Sequence, residues 1–183
     1  MCTEQAPAAR RIETGRLILR PVTLDDAPAV FQWAGDPEVN RYMSYPLHKS
    51  VDETRAWISS ITPDALEFGF YRKDNGQLIG TGGVGKNTDG VHELGYNLRR
   101  DAWGRGYATE AAQAMLAWAY HSLGVRDFVL GHAILNRASG NVARKCGFQL
   151  VRYGRYSRFD GSGTFDAAFY ALHLKGDEAY VCR

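Results

Sequence analysis

The stretch that decides the fold reads Leu98-Arg99-Arg100-Asp101-Ala102-Trp103-Gly104-Arg105-Gly106-Tyr107-Ala108-Thr109-Glu110-Ala111. Up to Leu98 the chain alternates as a strand does, and from Gly106 onward its apolar residues recur with the helical period. Gly104 and Gly106 let the backbone curl so that several N–H groups converge, and the helix opening there adds the positive end of its dipole. The segment suits an anion, a pyrophosphate above all. Glycines that merely make a tight loop are the plainer reading of the same letters. A nucleotide-hydrolysing P-loop is unsupported, because Gly-Lys followed by Ser or Thr occurs nowhere in the chain.

A second glycine-rich run, Gly80-Thr81-Gly82-Gly83-Val84-Gly85, matches the dinucleotide pattern G-x-G-x-x-G letter for letter. That pattern carries meaning only where a helix opens on it, since the helix N-terminus holds the pyrophosphate. Here a turn (Lys86-Asn87-Thr88-Asp89-Gly90) and another strand follow. The dinucleotide reading is rejected in favour of a strand whose glycines permit bulges or the close approach of another backbone.

Working outward, the middle of the chain is an antiparallel meander. Strands over residues 66–72, 77–86 and 91–98 are separated by Asp74-Asn75-Gly76 and Thr88-Asp89-Gly90. Ahead of it lie a strand at residues 16–20, stopped by Pro21, and two helices. Thr23 caps the first, and Ser50 with Glu53 makes a capping box for the second. After the deciding stretch, residues 107–123 form a helix that is apolar nearly all round, apart from a stripe of Glu110, Gln113, Ala117 and His121. A strand at 128–133, a helix at 139–145 and a hairpin over 148–174 complete the order, which reads as one α+β domain. Its bounds are expected at 16–175, with a loose arm at 1–15 and a tail at 176–183.

Composition agrees with this and narrows the function classes. A chain of 183 residues can bury a core without staples. A net charge of +2 disfavours a nucleic-acid platform, whose affinity rests on many cations. Cys2, Cys146 and Cys182 form no close pair, no apolar run approaches a membrane span, and the N-terminal residues lack a signal-peptide core. A cytoplasmic protein without membrane contact is expected. The five histidines show no paired ligand spacing, so no metal is expected, and His132, in the strand expected over 128–133, is the only one singled out for testing. Cys146 reads as a buried small residue.

With these residues in hand, the chain resembles the GNAT superfamily of N-acetyltransferases, in particular the branch that contains ribosomal-protein Nα-acetyltransferases. The run from Trp103 to Ala111 looks like the family's acetyl-CoA loop and helix, with an aromatic residue where many members begin the loop with Gln or Arg. Residues 16–21, Asp36-Pro37-Glu38-Val39, Glu93-Leu94-Gly95-Tyr96, Asn136-x-x-Ser139 and Lys145-Cys146-Gly147-Phe148 resemble that branch in order and approximate spacing, so the likeness spans about 16–174. The resemblance implies the GNAT acyl-CoA N-acyltransferase fold: a mixed, mostly antiparallel central sheet, helices on both faces, and a splayed strand pair, here 91–98 and 128–133.

It also implies roles. The pantetheine arm of acetyl-CoA would lie between the splayed strands. A backbone N–H near Tyr96, Asn97 and Leu98 would polarise the thioester carbonyl, with Arg99 beside them, and the N–H groups of Gly104, Arg105, Gly106, Tyr107, Ala108 and Thr109 would hold the pyrophosphate. Asn136 would bond the pantetheine arm, Glu93 would act as general base through water, and Ser139 would protonate the departing thiolate. Without the family, Glu93 is a solvated strand carboxylate, and Asn136 and Ser139 are helix caps. Ala143 stands where many members carry a tyrosine as general acid, which shifts that role to Ser139 or solvent. Arg105, Arg144 and Lys145 are either contacts for the 3′-phosphate or a solvated face.

The expectation is an acetyl-CoA-dependent N-acetyltransferase working by direct transfer. Its acceptor would be the α-amine of a protein or peptide N-terminus, with a small amine such as an aminoglycoside or polyamine as the alternative. Residues 42–57 and the final hairpin should set acceptor choice, offering Tyr42, Tyr45, Tyr153 and Tyr156 but no clear acidic cluster. A non-catalytic acyl-CoA sensor is the reading from another class, and a homodimer is left open.

Overall fold

A computed structural model describes residues 10–175. In chain order its elements are β1 (Ile12–Glu13), β2 (Leu17–Arg20), α1 (Ala27–Ala34), α2 (Val51–Ser60), β3 (Glu67–Arg72), β4 (Leu78–Gly83), β5 (His92–Glu93) and β6 (Gly95–Leu98). They continue with α3 (Tyr107–Leu123), β7 (Asp127–Ala133), α4 (Arg137–Lys145), β8 (Gln149–Ser157) and β9 (Thr164–His173). Two sheets result, β1-β2-β3-β4-β6 and β5-β7-β9-β8, and every pairing is antiparallel except that of β5 with β7.

Helices cover both faces of the first sheet. Phe68 and Phe70 point to one side, where they are fully buried with Met115 and Leu116 of α3 and Ala143 of α4. Tyr71 and Leu78 point to the other, against Val30 and Trp33 of α1 and Ile58 of α2. The period-two alternation of β3 thus feeds two apolar clusters, one per face.

Helix limits follow local chemistry. Ser50 Oγ accepts the Glu53 N–H at 3.2 Å and caps α2, while the Glu53 carboxylate accepts the Lys49 N–H at 2.7 Å. The long helix starts and stops as the sequence predicts, because Gly106 (φ 80°) and Gly124 (φ 69°) both take the left-handed conformation that glycine adopts without a Cβ clash.

Three expectations are revised. Order begins before Arg16, since Ile12 and Glu13 pair with Leu19 and Ile18. Residues 1–9 of the expected arm and the tail at 176–183 lie outside the described residues. The helix expected from Ser139 begins at Arg137, capped by Asn136, whose Oδ1 accepts the Ser139 N–H at 3.2 Å. Lastly, the single strand over 91–98 is two strands in different sheets, parted at Leu94.

Candidate active site

The break at Leu94 creates the site. His92 and Glu93 pair with Phe128 and Val129, and the Leu94 N–H donates to the Val129 carbonyl at 2.9 Å. Beyond that point β6 turns to β4, placing Gly95 opposite Gly83 and Asn97 opposite Thr81, while β7 runs on along β9. The facing edges of β6 and β7 therefore diverge. Between them opens a cleft of about 640 Å³, walled by β4, β6, β7 and the start of α4 and roofed by Tyr42, Tyr45, Trp57 and Tyr156. That volume is in the range of small-molecule and cofactor sites. Tyr153, grouped with those aromatics in the sequence, lies on exposed β8 outside the cleft lining.

At the C-terminal end of β6 the chain enters the glycine loop. Gly104 (φ 72°) and Gly106 (φ 80°) are both left-handed, and Gly106 caps α3 without any side-chain acceptor. The N–H groups of the first turn thus receive no side-chain cap from this residue. Trp103 closes the loop from beneath, its Nε1–H donating to the Leu98 carbonyl at 2.9 Å. The Arg99 guanidinium is engaged with Asp101 and its N–H with the Ile79 carbonyl.

A clamp on this loop escaped the sequence reading. Glu110, one turn into α3, accepts the Thr14 hydroxyl at 2.6 Å, the Arg16 N–H at 2.8 Å and Arg16 Nε–H at 2.7 Å. Arg16 also donates to the Arg105 carbonyl at 2.8 Å and lies over the Tyr107 ring. Burial would raise the Glu110 carboxyl, but the Thr14 hydroxyl and the Arg16 N–H and guanidinium hold it below its ordinary value. Sequence periodicity shows only that Glu110 is off the apolar face.

Inside the cleft, Glu93 is reached from solvent, and desolvation by the walls raises its carboxyl; an Asn87 hydrogen bond pulls the other way and the Asp89 charge adds to the rise. The Tyr96 hydroxyl lies 3.0 Å from Ser139 Oγ and 3.5 Å from the Ser139 carbonyl oxygen, so a strand and a helix on opposite sides of the splay are joined there. Burial pushes the Tyr96 hydroxyl well up, and it stays protonated at neutral pH. Asn97 turns the other way, donating Nδ2–H to the Tyr45 hydroxyl at 2.7 Å. Asn136 lines the same wall as Ser139. His132 is buried there, stacked on Tyr170; its Nδ1 donates to the Ala133 carbonyl at 2.8 Å and Nε2 has no partner among the described residues. Leu98 is in the core. Among the described residues, no group of three or more His, Cys, Asp or Glu is arranged to hold a metal, and no helix is long and apolar enough to cross a membrane.

Comparison with known proteins points the same way. The family model described as the acetyltransferase (GNAT) domain matches residues 16–149. The "Uncharacterized N-acetyltransferase p20" of Bacillus licheniformis is 36% identical over 117 residues, 60% of this chain and 66% of that protein. The "Uncharacterized N-acetyltransferase YoaA" of Bacillus subtilis is 27% identical over 170 residues, 88% of this chain and 95% of that one. Among solved structures, the RimL ribosomal L7/L12 alpha-N-protein acetyltransferase in complex with coenzyme A superposes with a TM-score of 0.77 at 20% identity, covering 92% of this chain and all of that one.

Proposed function

The chain belongs to the GNAT acetyltransferase family and is an acetyl-CoA-dependent N-acetyltransferase; from that premise we propose that its cleft carries acetyl from acetyl-CoA directly to a primary amine, by preference the α-amine of a peptide or protein N-terminus. The observation that carries this is the meeting of two features on one strand: β6 leaves β7 at Leu94, and ends in the glycine loop that opens α3. A pantetheine arm laid between the diverging edges brings its pyrophosphate to the N–H groups of Gly104, Arg105, Gly106, Tyr107, Ala108 and Thr109, with Asn136 alongside the arm.

In this reading the free edge of β6 at Tyr96, Asn97 and Leu98 supplies an N–H to the thioester oxygen. Glu93, through water, takes the proton from the attacking amine as the C–N bond forms. When the C–S bond breaks, the thiolate receives a proton from Ser139, which the Tyr96 hydroxyl 3.0 Å away can resupply. No enzyme-bound acetyl intermediate is required in this reading.

The preference for a peptide amine rests on the lining. Tyr42, Tyr45, Trp57, Tyr156 and Phe159 present apolar faces and hydroxyls, and the carboxylates lining the cleft among the described residues are Glu67 and Glu93. Polyamines and aminoglycosides carry several ammonium groups, for which two acidic side chains are a small complement. The test is thermal shift with acetyl-CoA followed by product detection on a panel of peptides, polyamines and aminoglycosides. Acetyl-CoA at a hundred times its Kd stabilises by about 2.7 kcal/mol. Acetylated peptide supports the preference, acetylated polyamine or aminoglycoside replaces it, and a shift without product on any amine leaves a sensor.

A further inference from the structure

The glycine run on β4 has no part in the chemistry above, yet its geometry is specific. Gly80 and Gly82 let β6 approach: a Cβ on either would lie 2.4 Å from the Asn97 carbonyl oxygen or 2.5 Å from that of Gly95. Gly83 faces the other side of the sheet, and a Cβ there would lie 2.6 Å from Glu67 Oε2. Glu67, Gly83 and Gly95 are cross-strand neighbours in register on β3, β4 and β6. Gly83 thus leaves the room that the Glu67 carboxylate occupies, on a cross-strand row that ends at Gly95 beside the splay.

The surroundings of that carboxylate are polar on one side only. The next row on the same face is Gly69, Thr81 and Asn97; Thr81 bonds the Glu67 carboxyl, and Asn97 bonds Tyr45. Among the described residues Glu67 makes no ion pair. A partly buried carboxyl that the backbone has been cleared to accommodate, beneath an aromatic roof and without a cation, matches a cation brought from outside.

Resting on the acetyl-transfer reading, we propose that Glu67 is the docking group for the ammonium form of the acceptor, holding it beside the splay while Glu93 serves the reaction. Desolvation lifts the Glu67 carboxyl to about 8, with the Thr81 bond opposing, so at neutral pH the empty site is largely uncharged. Docking of R–NH3+ displaces the carboxyl proton to solvent and leaves an ammonium–carboxylate pair. Up to one proton is released per acceptor bound; before attack the docked ammonium gives one of its own protons to water, and Glu93 takes the second as the C–N bond forms.

The test uses the full chain with 13C-carboxyl-labelled glutamate and CoA present. The Glu67 signal is identified by its loss in Glu67→Gln. The probes are an Ala-Ala-Ala tripeptide amide with a free amino terminus, its Nα-acetylated form, and spermidine. The expected result is a downfield movement of the Glu67 signal toward the ionised position with the free tripeptide amide and none with the acetylated one. Movement with spermidine alone supports the ammonium site and assigns it to small polyamines. A Glu67 signal unmoved by both amines, or one moved equally by the acetylated peptide, overturns the proposal. Because this readout needs no turnover, absence of acetyl transfer would fail the enzymatic reading separately. In kinetics with whichever amine is acetylated, Glu67→Gln should raise its KM at least tenfold with kcat and acetyl-CoA affinity kept, whereas Glu93→Gln should lower kcat; a Glu67→Gln effect confined to kcat would contradict docking.

Discussion

Replacing Glu110 with Gln tests whether the glycine loop is held in shape before acetyl-CoA arrives. In the native arrangement one carboxylate oxygen accepts from the Thr14 hydroxyl and the Arg16 N–H, and the other from the Arg16 guanidinium, which itself holds the Arg105 carbonyl. Glutamine keeps one acceptor and turns an NH2 group against donors. Hydrogen bonds to charged groups are worth about 1.5–3 kcal/mol each, but the Arg16 side chain is half exposed, so a total near 2 kcal/mol is reasonable after screening. For a chain of this length that lowers Tm by roughly 4–8 °C. If the same energy holds the loop open for the pyrophosphate, acetyl-CoA affinity falls about thirtyfold, since every 1.4 kcal/mol is a factor of ten. Titration calorimetry with acetyl-CoA and a thermal melt of the same sample separate the two effects. A lowered Tm with Kd within twofold of wild type would refute the preorganisation argument, leaving the clamp as a stabilising contact only. The pH dependence has a definite sign. Because the Glu110 carboxyl is held below its ordinary value of 4.5, its stabilising contribution is full above that value and fades as pH falls through the lower folded value; Glu110→Gln should lack that acid limb.

Three further outcomes follow from the site. Glu93→Gln should lower kcat about a hundredfold or more, the usual contribution of a general base, with acetyl-CoA affinity unchanged. In the native enzyme the rate should drop as pH falls through the raised Glu93 value, and an unaltered pH–rate profile in the variant would remove Glu93 from proton transfer. Ser139→Ala should slow thiolate release, with the larger loss for poor leaving groups, and Tyr96→Phe should produce a milder version of the same defect; a Tyr96→Phe enzyme at full rate would show that the relay is solvent alone. Gly82→Ala, whose Cβ meets the Gly95 carbonyl at 2.5 Å, should cost about 1–3 kcal/mol by denaturant titration, as overpacking does.

What the sequence conveyed and what it withheld divide along physical lines. The helix over 107–123 was legible to the residue because two left-handed glycines end it, and such glycines act locally. The rejection of the dinucleotide motif at residues 80–85 was sound for the same reason, since a turn and a strand follow where a helix would have to open. The break at Leu94 was not legible. Apolar residues alternate over Leu94, Tyr96 and Leu98 with only Val91 out of phase, which does not by itself mark a break, and the parting is decided by which neighbour each half finds, β7 for one and β4 for the other. Asn136 was readable as a cap, yet its precedence over Ser139 depended on how far β7 carried the chain. Glu67 and Glu110 were invisible as functional residues because an acid at a polar strand or helix position looks solvated. Only the register of Glu67 with Gly83 and Gly95, and the return of Thr14 and Arg16 to α3, give them partners.

The central claim is that acetyl-CoA enters between β6 and β7 with its pyrophosphate on the glycine loop. A crystal structure of the full chain with bound acetyl-CoA tests it most directly. The account predicts the pantetheine arm between residues 95–98 and 130–133, the diphosphate within hydrogen-bond distance of N–H groups from Gly104 to Thr109, and the thioester carbon facing Glu93. Acetyl-CoA seated instead along the glycines of β4, or with its diphosphate away from the N-terminus of α3, would contradict it.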